Sequence, residues 1–88
     1  MSHDWEIEDI FVFDDGRTVV LVNMPVAIKQ TLPSKASILR GGVESQEIVV
    51  KSERMPGPGL TNRRSFETWD HVDAKGCSAT KCWLRFHD

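Results

Sequence analysis

Four residues near the end of the chain carry side chains that bind zinc in other proteins: His71, Cys77, Cys82 and His87. Thiolate and imidazole groups suit zinc, and many structural sites combine two of each. The spacing argues against a site here, because it lacks a tight Cys-x-x-Cys pair. Cys82 and His87 are also five residues apart, so a regular strand points them to opposite faces. We predict no metal site, and a zinc-dependent Cys2His2 domain is the alternative interpretation.

The same side chains do not assemble a catalytic centre. Cysteine and histidine can form a nucleophilic pair, but no segment supplies an oxyanion hole or an orienting third group. Cys77 and Cys82 are also too few for the dense cross-linking of small secreted domains. A Cys77–Cys82 disulfide is geometrically conceivable, but without an export signal we expect a reducing compartment and free thiols. We also expect no enzymatic activity and no cofactor.

A second group of residues has the chemistry of a binding surface. Arg54, Arg63 and Arg64 flank a segment rich in proline and glycine, and Trp69 follows them. Single-stranded nucleic acid needs cations for its phosphates and aromatic rings for its bases. We therefore predict a non-catalytic binding module that contacts a protein or RNA partner through the basic Pro/Gly loop around 55–64, with these four residues as its binding residues. The competing interpretation is a solvated loop, followed by a strand that places Phe66 in the core.

The composition is that of an ordinary small globular domain. The chain has 88 residues, of which 40% are hydrophobic and 27% charged, so one core and one domain over 1–88 are expected. No apolar run approaches the length of a membrane-spanning helix, and the acidic N-terminus does not resemble an export signal. These features predict a cytoplasmic protein without a membrane partner, and they leave the oligomeric state open.

Charge is distributed unevenly along the chain. Residues 1–15 carry six acidic and no basic side chains, whereas residues 16–88 carry seven acidic and eleven basic ones. Strand pairing could neutralise the two parts against each other, or it could leave an acidic and a basic face. The sequence does not decide between these arrangements.

Alternation of apolar and polar residues predicts an all-β fold. Turn residues divide the chain into six predicted strands, at about 5–13, 18–22, 35–40, 46–54, 65–69 and 81–87. So many short strands can cover one core only by closing into a barrel or folding into a small sandwich, and we expect a closed or partly open barrel.

Three local features complete this prediction. Gly16 and the pair Gly41-Gly42 supply the positive φ angles of tight hairpins. The segment 18–22 is apolar on both faces, which is typical of a central strand. In the first strand we expect Trp5, Ile7, Phe11 and Phe13 on one face, and one helical turn is expected at 27–30.

The opening hairpin also resembles a known family. The segments Ile7-Glu8-Asp9-Ile10-Phe11, Gly16-Arg17 and Thr18-Val19-Val20 are similar to the first hairpin of the β-barrel second domain of elongation-factor-type translation GTPases. That resemblance implies a six-stranded barrel. The chain lacks the second glycine of the family's Gly-Arg-Gly turn, and it contains no phosphate-binding loop. We therefore transfer the fold and no functional residue.

Overall fold

Six antiparallel strands form a closed ring in the computed structural model, which describes residues 3–54, 62–73, 76–77 and 80–87. The strands are β1 (Asp4–Val12), β2 (Thr18–Asn23), β3 (Ser34–Arg40), β4 (Val43–Arg54), β5 (Arg63–Thr68) and β6 (Cys82–Phe86). Their order around the ring is β1-β2-β5-β4-β3-β6, and β6 pairs again with β1. The prediction of a small six-stranded barrel is confirmed.

Two turns that contain glycine connect the strands of the β1–β2 and β3–β4 hairpins. Gly16 has a φ of 92°, and Gly41 and Gly42 have φ values of 60° and 85°. Two successive positive φ angles match the right-handed twist of the strands on either side, and only glycine adopts them without strain. Because both hairpins form as predicted, β1 pairs with β2 and β3 pairs with β4.

The barrel has two different ends. We call one the hairpin end, because it carries the turns at 13–17 and 41–42, the end of β5 and the start of β6. We call the other the loop end, because the connection 24–33 between β2 and β3 lies there. This connection contains a turn at 26–27 in place of the predicted helical turn, and the Ile28 amide donates to the Pro25 carbonyl at 3.1 Å.

Buried apolar side chains from five strands and two connections fill the interior. They are Val20, Val22, Met24, Ala36, Ile38, Ile48, Val50, Phe66, Val72, Cys82, Leu84 and Phe86. Phe66 and Phe86 meet edge to face, with ring centroids 5.1 Å apart. Burial of each large apolar side chain contributes about 1.5–3 kcal/mol. In the described ranges no helix is long and apolar enough to cross a membrane.

The first strand departs from the predicted alternation. Its pairing with β2 shifts register between Ile7 and Asp9, which marks a β-bulge. Trp5, Ile7 and Ile10 pack against the core. One extra residue reverses the direction of every later side chain in a strand. The prediction that Phe11 lies on the same face as Trp5 and Ile7 is therefore wrong, and Phe11 and Phe13 point outward.

Candidate binding surface

The four residues predicted to contact a partner do not form one surface. Arg54 ends β4 and Arg63 and Arg64 begin β5, so all three lie at the loop end. Trp69 follows the last residue of β5, at the hairpin end. A strand rises about 3.3 Å per residue, which separates Trp69 from Arg63 by roughly 20 Å. The Pro/Gly segment at 55–61 lies outside the described residues.

Arg64 is a structural residue rather than a surface cation. Its side chain points into the barrel opposite Val22 and is 6% exposed. The guanidinium donates to both carboxylate oxygens of Glu53, at 2.6 and 2.8 Å. It also donates to the carbonyls of Pro25 and Ile28, so it ties the 24–33 connection to the barrel. All of these bonds are internal, which removes Arg64 from the candidate binding residues.

A signal for this burial was present in the sequence. Side chains two residues apart in a strand share a face. An inward Phe66 therefore places Arg64 inward and Arg63 outward, as the structure has them. Arg63 forms an ion pair with Glu8, with 2.9 Å between Nε and Oε2, and its side chain is 56% exposed.

The sequence prediction included only some of the exposed cations near the loop end. Ten lysines and arginines fall within the described residues. Six of them form ion pairs with carboxylates, namely Arg17, Arg40, Arg63, Arg64, Lys81 and Arg85. The other four make no ion pair with any described carboxylate, namely Lys29, Lys35, Lys51 and Arg54. All four lie in the 24–33 connection, at the start of β3 or at the end of β4.

Three carboxylates near these cations are neutralised by arginines, whereas Glu44 and Glu47 contact Ser37 and His87 and have no lysine or arginine partner among the described residues. Asp4, Glu8 and Glu53 lie at the loop end, and each binds one arginine within 3 Å. Arg85 donates to both oxygens of Asp4, at 2.6 and 3.0 Å. These hydrogen bonds hold the pKa of Asp4 below its usual value and raise the pKa of Arg85. The unpaired cations at the loop end therefore give it an excess of positive charge.

A cavity of about 490 Å³ opens beside the exposed cations. Aromatic and apolar groups form part of its wall, namely His3, Trp5, Met24, Ile28 and Phe86. Polar groups form the rest, namely Lys29, Gln30, Glu44, Arg85 and His87. The His3 imidazole stacks on the Trp5 indole, with centroids 4.3 Å apart and an interplanar angle of 30°. Trp5 is half-buried and His3 is exposed, so the His3 imidazole is the outer ring of this stacked pair.

One cluster at the cavity has the residue types of an acyl-transfer triad. Ser37 Oγ bonds to His87 Nε2, and His87 Nδ1 lies 3.7 Å from Glu47 Oε2. However, Ser37 is fully buried, and its hydroxyl donates to Glu44 Oε1 at 2.5 Å. His87 Nε2 must then be the donor to Ser37 Oγ, so the imidazole cannot accept the serine proton. This cluster does not present an activated nucleophile.

The candidate zinc ligands do not converge. Cys82 and His87 lie at opposite ends of β6, about 17 Å apart along a regular strand. Among the described residues no group of three potential ligands could hold a metal ion. Cys77 and Cys82 are joined in a disulfide, with 5.4 Å between their Cα atoms. The expectation of reduced thiols is wrong, because the Cα atoms of Cys77 and Cys82 lie within disulfide range and the two sulfur atoms are bonded.

Comparisons with protein-family models, with curated proteins and with solved structures found no match. The resemblance of the first hairpin to the translation-factor barrel therefore stays a prediction. The charges, aromatic rings and cavity of the loop end are the features that indicate a function.

Proposed function

We propose that this protein is a non-catalytic module that binds single-stranded RNA at the loop end of its barrel. The observation that carries the proposal is the distribution of paired and unpaired cations along the barrel. Paired cations occur at both ends, whereas among the described residues the unpaired Lys29, Lys35 and Arg54 lie at the loop end and the unpaired Lys51 lies between the two ends. A cation without an internal partner needs no rearrangement before it meets a phosphate, so it releases counterions on binding.

Ring chemistry beside these cations supports a single strand over a duplex. Trp5 and His3 are stacked at the cavity, and Lys29 lies on the same wall. Every base has a π-face, so a base of any kind can use this pair as a platform, by stacking on the exposed His3 ring or by replacing it on Trp5. A nearby cation can neutralise the adjoining phosphate. A duplex keeps its bases stacked on one another and cannot use such a platform.

The negative net charge of the chain does not oppose this proposal. The formal charge is −2, but the loop-end carboxylates Asp4, Glu8 and Glu53 are bound to arginines. Asp14 and Asp15 lie in the hairpin at the opposite end. At about 0.15 M salt the screening length is roughly 8 Å, so charges at one end of a barrel scarcely influence a ligand at the other.

The test is the salt dependence of binding to a fluorescein-labelled 12-nucleotide oligouridylate, measured by fluorescence anisotropy. We expect Lys51→Gln/Arg54→Gln to weaken binding about tenfold at low salt. It should also lower the slope of log K against log salt by about 1.4, because each phosphate contact on a single strand contributes about 0.7. The matched control is Arg17→Gln/Lys81→Gln, which removes the same charge from paired cations near the hairpin end.

Two results would contradict the proposal. One is an equal effect of both double variants, because binding would then follow net charge alone. The other is tighter binding to polyglutamate than to the oligouridylate at equal charge, which would indicate an acidic protein as the partner. A Trp5→Leu variant that keeps its fold but binds the oligouridylate as tightly as the wild type would refute the stacking platform.

A further inference from the structure

The outer surface of the barrel near the hairpin end carries aromatic side chains where a solvated barrel carries polar ones. Phe11 lies opposite Val19 on β2, and Val19 lies opposite Glu67 on β5. Trp69 follows Thr68 at the end of the same sheet face. Phe11, Phe13 and Trp69 are 46%, 38% and 54% exposed. We call the surface made by Phe11, Phe13, Val19, Leu21 and Trp69 the aromatic face.

Closure of the barrel explains why β2 contributes to this face. Val20 and Val22 point into the core, so Val19 and Leu21 point outward. The interior of a closed barrel buries only the inward side chains of each strand. Outward apolar side chains must be shielded from solvent by neighbouring side chains on the outer surface. Phe11 and its neighbours supply that cover, since Val19 is only 4% exposed, but the covering rings then face solvent themselves.

The charges around the aromatic face are mostly negative. Asp9, Asp14, Asp15 and Glu67 lie on or beside it. Arg17 and Lys51 are the cations of this region in the described part of the chain, because Lys51 lies at the β4 bulge opposite Glu67. Arg17 is bound by Glu67 at 3.2 Å and lies over the Phe13 ring at 4.7 Å. An acidic border favours a partner that carries lysine or arginine.

The size of the face limits what can occupy it. Three aromatic rings about half exposed offer roughly 300 Å², which is the range of a functional patch on a monomer. A stable globular interface buries about 800 Å² on each partner. The face therefore fits a short segment better than the flat surface of a second domain.

We propose that the aromatic face binds a short segment of another protein, in which apolar side chains are flanked by lysine or arginine. This inference is independent of the proposed RNA binding, because the aromatic face and the unpaired Lys29, Lys35 and Arg54 lie toward opposite ends of the barrel. Aromatic anchors supply the affinity and the acidic border selects the charge of the segment.

The test uses two capped 14-residue peptides with the same leucine pattern, one with lysine and one with glutamate at the polar positions, titrated by calorimetry. We expect the Leu/Lys peptide to bind and the Leu/Glu peptide not to bind. Phe11→Ser/Trp69→Ser should weaken the Leu/Lys peptide at least about tenfold, because aromatic anchors dominate such contacts. The control is Val43→Ser, which removes a 70% exposed apolar side chain from the β3–β4 hairpin.

Several outcomes would overturn this inference. They include equal binding of the two peptides, equal losses in Val43→Ser and Phe11→Ser/Trp69→Ser, and no loss in a folded double variant. If wild-type protein instead dimerises in sedimentation runs, and only Phe11→Ser/Trp69→Ser abolishes the dimer while neither peptide binds, the occupant is a second copy. The comparison of the two peptides on wild-type protein decides the charge preference even if the double variant does not fold.

Discussion

The two ends of the barrel use the same kinds of side chain in opposite ways. At the loop end, Asp4, Glu8 and Glu53 bind arginines, and Lys29, Lys35 and Arg54 make no ion pair with a described carboxylate. At the hairpin end, the described cations Arg17, Arg40 and Lys81 are paired, and aspartates lie near exposed aromatic rings. A chain of nearly neutral net charge thus carries two chemically different surfaces. Net charge alone is therefore a poor guide to the partners of a domain this small.

The largest effect we predict concerns the arginine that fixes the loop end. Arg64→Met should lower the free energy of unfolding by about 3–5 kcal/mol in urea titrations, because it leaves Glu53 and two carbonyls without their donor. Arg63→Met, one residue away, should cost less than about 1 kcal/mol, because its ion pair with Glu8 is exposed.

The double variant Arg64→Met/Glu53→Leu sharpens this prediction. Replacement of both members of a buried ion pair by apolar groups is often neutral, so much of the lost stability should return. Equal losses in Arg63→Met and Arg64→Met would contradict the inward placement of Arg64.

The second largest effect concerns the hairpin end, where the chain is cross-linked by a disulfide. The Cys77–Cys82 disulfide closes a short loop, with a sequence separation of five. Loop entropy for such a length corresponds to about 2 kcal/mol, so Cys77→Ser should lower stability by that amount in non-reducing urea titrations. Dithiothreitol should lower wild-type stability equally and leave Cys77→Ser unchanged. An unchanged wild type would show that the thiols are not paired in solution.

Sequence patterns predict the strands and turns at both ends of the barrel but not which charges and aromatic rings each end exposes. The alternation in β4, β5 and β6 and the glycines at 16 and 41–42 are local signals, so strand positions and hairpins followed from them. The bulge after Ile7 is a register property of two strands together, and it turned Phe11 outward against the simple alternation.

The candidate sites needed information that no local pattern carries. Which cations are unpaired depends on cross-strand neighbours that are far apart in sequence, such as Arg85 and Asp4. The disulfide depends on the path of the connection before β6, and the cavity depends on how the 24–33 connection crosses the barrel. Arg64 was the exception, because its burial follows from its two-residue spacing to Phe66.

The smallest effect we predict is a pH dependence at the loop end. Arg85 holds the pKa of Asp4 below its unfolded value, so the ion pair stabilises the fold above the unfolded pKa of about 3.9. That stabilisation is lost as the pH falls through the folded-state pKa. The Tm of Asp4→Asn should therefore be slightly below that of wild type at pH 6, and the two should converge below about pH 4. A Tm difference that does not shrink at all between pH 6 and pH 2.5 would rule out the ion pair as its source.

The claim that the loop end binds RNA is tested most directly by locating the contact. We would titrate ¹⁵N-labelled protein with the 12-nucleotide oligouridylate and follow amide chemical shifts. The account predicts shifts in residues 24–35, 51–54 and 62–64, with the hairpins at 13–17 and 41–43 unchanged. Shifts centred on those hairpins, or none at low salt with a millimolar excess of RNA, would contradict it.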